Sequence, residues 1–471
     1  MAKYQKYAEY KDSGVEWLGD IPSHWDLQRL KVILNERNEK NDPIKSTNIL
    51  SLTMHQGVIP YSEKEGSGGN KPKEDLTAYK LVYENDIVLN SMNVIVGSVG
   101  ISKYFGIASL VYYMLYPRSL NQTNIRFYNY IFQAKSFQEN LGRLGTGILI
   151  KKSESSGKLN TIRMKISMED LNNEILTIPS VEEQTQIANF LDYETAKIDY
   201  LIEKQQQLIE LLKEKRQAVI SHAVTKGLDP NVPMKNSGVE WLGEVPEHWK
   251  VAPIKRIINL MEQGKSPECE NIPATSDQWG VLKTSCVNNG VFHANQNKAL
   301  PENIKPHTQY QVKAGDVLMS RASGSINLIG SVALVPENVQ ENLLLSDKIF
   351  RIHLSKDCDS RFFTLLLATP YMRTLIERAI SGAEGMANNI TKTAILEFIS
   401  AIPPLDEQLQ LVVYLNQKIE TFNSLIEKSS RAIEVMQERR TALISSAVTG
   451  KIDVRHWQAP TVAETHTELS A

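Results

Sequence analysis

Six basic side chains, Arg143, Lys151, Lys152, Lys158, Arg163 and Lys165, stand between Gly142 and Lys165 against one acid, Glu154. Cations at that density suit contact with a polyanion, because Lys and Arg neutralise phosphate charge. Side chains able to read base edges, through amide, hydroxyl or guanidinium groups, gather at the ends of apolar β-type runs. They are Thr53, His55, Gln56, Asn90, Ser91 and Asn93 in the first half. In the second they are Lys283, Thr284, Asn288, Asn289, Arg321, Ser323 and Ser325. Asn388 and Asn389, within Ser381 to Thr391, take the place that the basic stretch holds earlier. Taken singly, each is also compatible with a solvated loop or a structural turn.

Bond-making chemistry would need its own constellation, and the sequence offers none. There is no N-P-P-[FY] or D-P-P-Y to hold a flipped amino base, no G-x-G-x-x-G after a strand, and no H-E-x-x-H. Gly264-Lys265-Ser266 resembles the end of a phosphate loop, but Asn259 stands where the leading Gly is required. The one Glu-x-Lys, Glu9-Tyr10-Lys11, lacks a preceding Pro-Asp. The three cysteines, Cys269, Cys286 and Cys358, are far apart and form no CxxC, which argues against zinc and for a reducing cytoplasm. No apolar signal region opens the chain, and the longest apolar-aromatic run, Phe105 to Tyr116, is too short to span a bilayer.

The elements that must position the polar candidates are repeated. Ile178 to Asp229 returns as Ile402 to Asp453 at an offset of 224. Neither Pro nor Gly interrupts Glu183 to Ala223 or Glu407 to Ala447, and apolar residues recur at three- and four-residue steps, which predicts two long amphipathic helices. About forty residues at 1.5 Å each make a rod of roughly 60 Å. In heptads one apolar row is Leu191, Ile198, Gln205, Leu212 and Val219, with Leu415, Phe422, Ser429, Met436 and Leu443 in the other copy. A second row runs through Leu201 and Leu208, and through Leu425. That spacing suits knobs-into-holes pairing of the two helices, with Gln205 and Ser429 as polar breaks at one shared heptad position.

DSGVEWLGDIPSHWDL, Asp12 to Leu27, also returns at the same offset, as Asn236 to Val251. His24 and His248, inside it, have no nucleophile or metal ligand nearby in sequence and read as structural. The intervening segments match in outline only: Asn85–Ser91 aligns with Gly315–Arg321, Ile95–Val99 with Leu328–Val332, and Ile49–Leu52 with Val281–Thr284. Net charge is −2, yet Asp26–Thr177 carries a balance of +4 and Lys250–Ala401 +2, against −3 for Val181–Asp229. The chain of 471 residues therefore divides into an opening segment 1–27, a variable domain 28–180 and a long helix 181–226. A connector with the repeated opening, 227–251, leads to a second variable domain 252–404, a second long helix 405–450 and a tail 451–471, partly disordered.

In this order and duplication the motifs resemble the specificity subunit of a type I restriction-modification enzyme. The resemblance rests on the paired W-L-G-x-x-P-x-H-W, the paired I-P-x-x-x-E-Q and the A-V-T endings at Ala223 and Ala447. It implies an α+β fold with two globular target recognition domains, separated by two long antiparallel coiled-coil helices in a tandem repeat of pseudo-twofold symmetry. It implies a non-catalytic chain in the cytoplasm whose domains each read half of a split site on double-stranded DNA, while the helices set the gap. Partners would be two modification (methyltransferase) subunits and restriction (endonuclease and translocase) subunits, without a membrane. Such a complex is an adenine-specific methyltransferase and ATP-dependent endonuclease. S-adenosylmethionine belongs to the modification subunit, ATP and Mg to the restriction subunit, and none to this chain. One departure is Lys151 to Lys165, an apparent insertion relative to Gly382 to Thr391. The rival readings are a self-sufficient restriction-methylation enzyme and a coiled-coil scaffold with two protein-binding domains.

Overall fold

The computed structural model describes residues 4–53, 56–64, 72–92, 98–148, 163–381 and 388–460. Its contacts separate into two units, residues 1–206 with 431–471 and residues 207–430. The division falls inside both long helices, Val181–Lys226 and Leu405–Val448. Each begins with acids in its first turn, Glu182 and Glu183 or Asp406 and Glu407, which complement the positive end of the helix dipole.

The same sheet is built in both units. In the first, four antiparallel strands lie in the order Leu34–Arg37, Tyr112–Pro117, Ile87–Asn90, Val99–Ile101. In the second the order is Ile258–Gln263, Ile349–Leu354, Val317–Ser320, Val332–Leu334. Each unit also holds a helix pair, Ile125–Gln133 with Lys135–Leu141 and Ser360–Leu367 with Pro370–Ala379. A two-stranded ribbon joins the ends of each variable segment, Asp26–Arg29 with Ile175–Ile178 and Lys250–Pro253 with Ile399–Ile402. The periphery differs. Leu50–Thr53 forms a hairpin with Gly57–Pro60, whereas its expected counterpart Gly280–Leu282 pairs with Asn297–Ala299 and Leu343–Leu344 and runs into a 3-10 segment, Thr284–Gly290.

A partly buried ion pair on each sheet has changed hands between units. Register places Arg37 and Glu262 at equivalent positions on the edge strand, and Asp86 and Asp316 just before the third. In the first unit Arg37 Nε donates to Asp86 Oδ2 at 2.8 Å. In the second the cation sits on the neighbouring strand: Arg351 donates to Glu262 at 2.7 Å and to Asp316 at 3.1 Å. Either arrangement neutralises the aspartate, whose burial unpaired would be costly.

The repeated motifs explain one another. Glu183 accepts from Tyr7 Oη at 2.6 Å and lies 3.0 Å from His24 Nε2. Glu407 lies 2.8 Å from His248 Nε2 and accepts from Trp249 Nε1 at 2.9 Å. The following glutamine fastens the variable domain: Gln184 accepts from the Asn124 N–H at 2.8 Å, and Gln408 from the Asp359 N–H at 2.9 Å. Asn124 and Asp359 are the N-caps of the paired helices. Both histidines thus hold structural positions.

Within each unit the two helix segments run antiparallel. In the first, Asp199 meets Arg440 and Gln186 reaches the Trp457 carbonyl. In the second, Arg216 meets Asn423 and Gly227 lies beside Glu407. In one expected row Leu191, Ile198, Leu415, Ser429 and Leu443 are buried, and Gln205, Leu212, Val219, Phe422 and Met436 half-buried. The other row is displaced by one residue. Leu208 and Leu425 are 42% and 43% exposed, while Ile202, Ile209, Ile419, Ile426 and Ile433 are half-buried. Positions 198, 202, 205, 209 and 212 alternate steps of four and three, as a heptad seam requires; Leu201, half-buried, flanks it.

Residues 451–457 are not a loose tail. Ile452 and Val454 are 3% and 1% exposed in the first unit's core, and Trp457 meets Phe190 edge-on at 5.4 Å. Gly450, at φ +70°, is pressed so close to Pro22 and Trp25 that a Cβ would lie 2.3 Å from the proline ring. Residues 461–471 lie outside the described residues.

Candidate nucleic-acid interface

In both units the third sheet strand hands its polar candidates to a hairpin. The Ile166 N–H donates to the Ser91 carbonyl at 3.0 Å, and the Ile390 N–H to the Arg321 carbonyl at 3.0 Å. The hairpin is Thr146–Ile148 with Arg163–Lys165 in the first unit and Ile380–Ser381 with Asn388–Ile390 in the second. Both units thus pair the strands that flank this stretch of sequence. Of its residues Lys151, Lys152 and Lys158 lie outside the described set, as do His55 and Asn93. Arg163 pairs with Ile148 through the backbone, and Lys165 is exposed.

The second unit gathers its candidates most tightly. Ala322–Ser323 adds a third strand to the hairpin, Ala322 opposite Asn389 and Ser323 opposite Asn388. Arg321, just before it, lines an open groove with Gln263, Met261, Phe350, Thr391 and Lys392. Its guanidinium carbon lies 5.9 Å above the Phe350 ring, and Nη1 has one long contact, 3.5 Å to the Asp347 carbonyl. Lys392 is committed to the Met261 carbonyl at 2.6 Å. A guanidinium with most donors uncommitted among the described residues, beside exposed Gln263 and half-buried Asn388 and Asn389, presents the donor and acceptor pairs that recognise base edges. Sequence reasoning missed Gln263, since nothing in a lone glutamine at a strand end marks it. Ser325 is exposed just beyond the added strand. Lys283, Thr284, Asn288 and Asn289 form a separate group on the 3-10 segment, where Asn289 adopts φ 60°.

Several first-unit candidates are occupied internally. Ser91 is 2% exposed, and its hydroxyl donates to the Val111 carbonyl at 2.8 Å. Arg143 donates to Glu174 at 2.7 Å, which compensates that nearly buried carboxylate. Thr53 closes its own hairpin, donating to the Gly57 carbonyl at 3.2 Å and accepting from the Gln56 N–H at 3.0 Å. Asn90 accepts from the Met92 N–H at 3.0 Å. Gln56 remains exposed at the hairpin tip.

Burial pushes the thiols of Cys286 and Cys358 up to about 12, so neither is a thiolate nucleophile at neutral pH. Among the described residues no group of three His, Cys, Asp or Glu is placed to hold a metal ion. Among those residues, too, no helix is long and apolar enough to cross a membrane.

A family model described as the type I restriction modification DNA specificity domain matches residues 22–211 and again 246–435. The type I restriction enzyme EcoEI specificity subunit of Escherichia coli is 29% identical over 51% of this chain and 40% of its own length. The EcoKI specificity subunit of Escherichia coli K12 is 24% identical over 66% of this chain and 64% of its own. The chain thus spans less than two thirds of either relative. A putative type I restriction enzyme specificity subunit of Methanocaldococcus jannaschii, MjaX, is 24% identical over 93% of this chain and 96% of its own. A solved structure from work on complex assembly and conformational transition of the type I R-M system superposes with a TM-score of 0.63, over 92% of this chain and 99% of that one, at 12% identity. At that identity the likeness concerns the fold.

Proposed function

Because the chain belongs to the type I restriction modification DNA specificity family, which it matches twice, we propose that it is the sequence-reading subunit of a type I restriction-modification complex and has no active site of its own. Residues 28–180 and 252–404 are its target recognition domains, each reading one half of a split site on double-stranded DNA. The long helices set the unread gap and dock two modification subunits, with restriction subunits joining them. S-adenosylmethionine resides on the modification subunit, ATP and Mg on the restriction subunit, and the complex works in the cytoplasm.

The observation that most supports this reading is one sheet built twice with different letters at one strand end. Asn90-Ser91 in the first unit stands where Ser320-Arg321 stands in the second. Shared framework with divergent tips suits two modules that read different bases. The purified chain should bind duplex DNA yet transfer no methyl group from S-adenosylmethionine until modification subunits are added. Methyl transfer by the isolated chain would refute the non-catalytic assignment. The gap-setting role has its own test: four residues inserted after Gln206 add about 6 Å of helix. At about 3.4 Å per base pair, methylation mapping should then show a gap longer by about one or two pairs; an unchanged gap removes the role.

A further inference from the structure

Two arginines that serve structure in the second unit have their donors taken up by the protein. Arg351 donates to Glu262 and Asp316, and to the carbonyls of Gln311 and Gln309 at 2.7 and 3.2 Å. Arg373 donates to Glu377 at 2.9 Å and to the carbonyls of Ile326, Asn327 and Ile329. Arg321 is held differently. Its backbone is fixed on both sides: its N–H donates to the Lys348 carbonyl at 2.9 Å, and its carbonyl accepts from the Ile390 N–H. Its guanidinium rests over Phe350, yet among the described residues it makes only the long contact to the Asp347 carbonyl, and no carboxylate pairs with it. Arg321, Phe350 and Gln263 all line the open groove, which offers about 280 Å³. Gln263 stands opposite Phe350 in register, so the amide and the guanidinium come from the two strands that flank Phe350. The groove's other cation, Lys392, is already committed to the Met261 carbonyl.

A guanidinium donates and cannot accept, and its parallel N–H pair matches two acceptors side by side. In the major groove only guanine offers two acceptors on one base, O6 and N7. Adenine sets a donor beside its acceptor, thymine a methyl group, and cytosine presents a donor. A phosphate also accepts from such a pair, but it has no donor for the amide oxygen of Gln263, exposed in the same groove. We infer that Arg321 recognises a guanine in the half-site read by residues 252–404, donating to O6 and N7 while Phe350 supports its plane. The inference rests on the DNA-reading function proposed above and deepens it by naming one base and the residue that reads it. The first unit has no counterpart, because Ser91, at the equivalent position, is buried with its hydroxyl on the Val111 carbonyl.

The test uses the full chain assembled with its modification subunits. Methylation mapping of wild type should show a G·C pair in the half read by residues 252–404, and a half without one overturns the inference. Arg321→Ala should relax that one position, cutting the preference for guanine by about 5- to 150-fold in binding to duplexes that differ only there. The first half, the gap and the other positions should stay as they are. An unchanged preference overturns the inference. So does weakening by one common factor on every duplex, with the slope of log K against log salt shallower by about one, which would make Arg321 a phosphate contact. Should Arg321→Ala melt well below wild type, Arg321→Gln carries the same test, since an amide pairs with adenine N6 and N7. Its preference should pass from guanine to adenine, and a retained guanine preference overturns the inference. Wild type that binds no duplex would contradict the DNA-reading function itself, a different failure.

Discussion

Arg440 donates from Nε to Asp199 Oδ1 at 2.9 Å, joining the two long helices within the first unit. The repeat offset of 224 carries this pair onto Arg216 and Asn423, which meet in the second unit with Nη1 to Oδ1 at 2.6 Å. The arginine is kept in both places and the acid has become an amide, so one helix crossing is built twice with one charge removed. Asp199 and Arg440 are 52% and 32% exposed, and ion pairs this solvated contribute about 0–1 kcal/mol. Asn423→Asp should therefore raise stability by about 0.5 kcal/mol at low salt, and Asp199→Asn should lower it by a similar amount. Urea unfolding at low and high salt checks this: both effects should shrink as salt screens the pair. An effect that persists at high salt would mean that charge is not what holds the crossing.

The two buried tryptophans of the repeated opening are equally enclosed but differently bonded. Trp25 and Trp249 are both 0% exposed, yet Trp25 Nε1 has no partner among the described residues whereas Trp249 Nε1 donates to Glu407 at 2.9 Å. Replacing each with Phe removes similar volume, so the difference between the variants isolates the N–H. Trp249→Phe should cost about 1 kcal/mol more than Trp25→Phe, the net value of one such bond. Equal costs in chemical unfolding would remove the bond from the account of this motif.

Glu262 gives the second unit an acid-sensitive joint. Burial pushes its carboxyl up, but hydrogen bonds from His353 at 2.6 Å and Arg351 at 2.7 Å outweigh that and hold it below the ordinary glutamate range. A depressed folded pKa contributes stability that is present above the unfolded value, about 4.3, and is lost as pH falls through the folded value. Glu262→Gln should thus be less stable than wild type near neutrality, and the gap should close as pH falls below about 4.3. Parallel stability curves across that range would show that the carboxylate contributes nothing there.

These residues show what the sequence could and could not disclose. The tandem plan was legible because the opening, the E-Q motif and the apolar pattern of the helices recur at one offset. The structure gives the motif its reason, since Glu183 and Glu407 secure the opening segments and Gln184 and Gln408 secure the helix caps. The second heptad row was misplaced by one residue because Leu201-Ile202 and Leu208-Ile209 are adjacent apolar pairs. Either member satisfies a three-four pattern, and only the partner helix chooses. Candidate contacts were less legible still. Ser91 and Arg143 have the right chemistry, but their partners Val111 and Glu174 lie 20 and 31 residues away, joined to them only by folding. Arg321 looked no different from Arg143 in sequence; what separates them is that, among the described residues, no carboxylate pairs with Arg321.

Two independent reading modules are the central claim, and exchanging one of them tests it most directly. Residues 28–180 are replaced by the equivalent domain of a relative with a different target, leaving both helices and residues 252–404 untouched. Methylated adenines are then mapped in a genome carrying the exchanged chain and its modification subunits. One half of the split site should change to the donor's sequence, with the other half and the gap as before. Simultaneous change of both halves, or methylation that ignores the exchange, would contradict the modular reading.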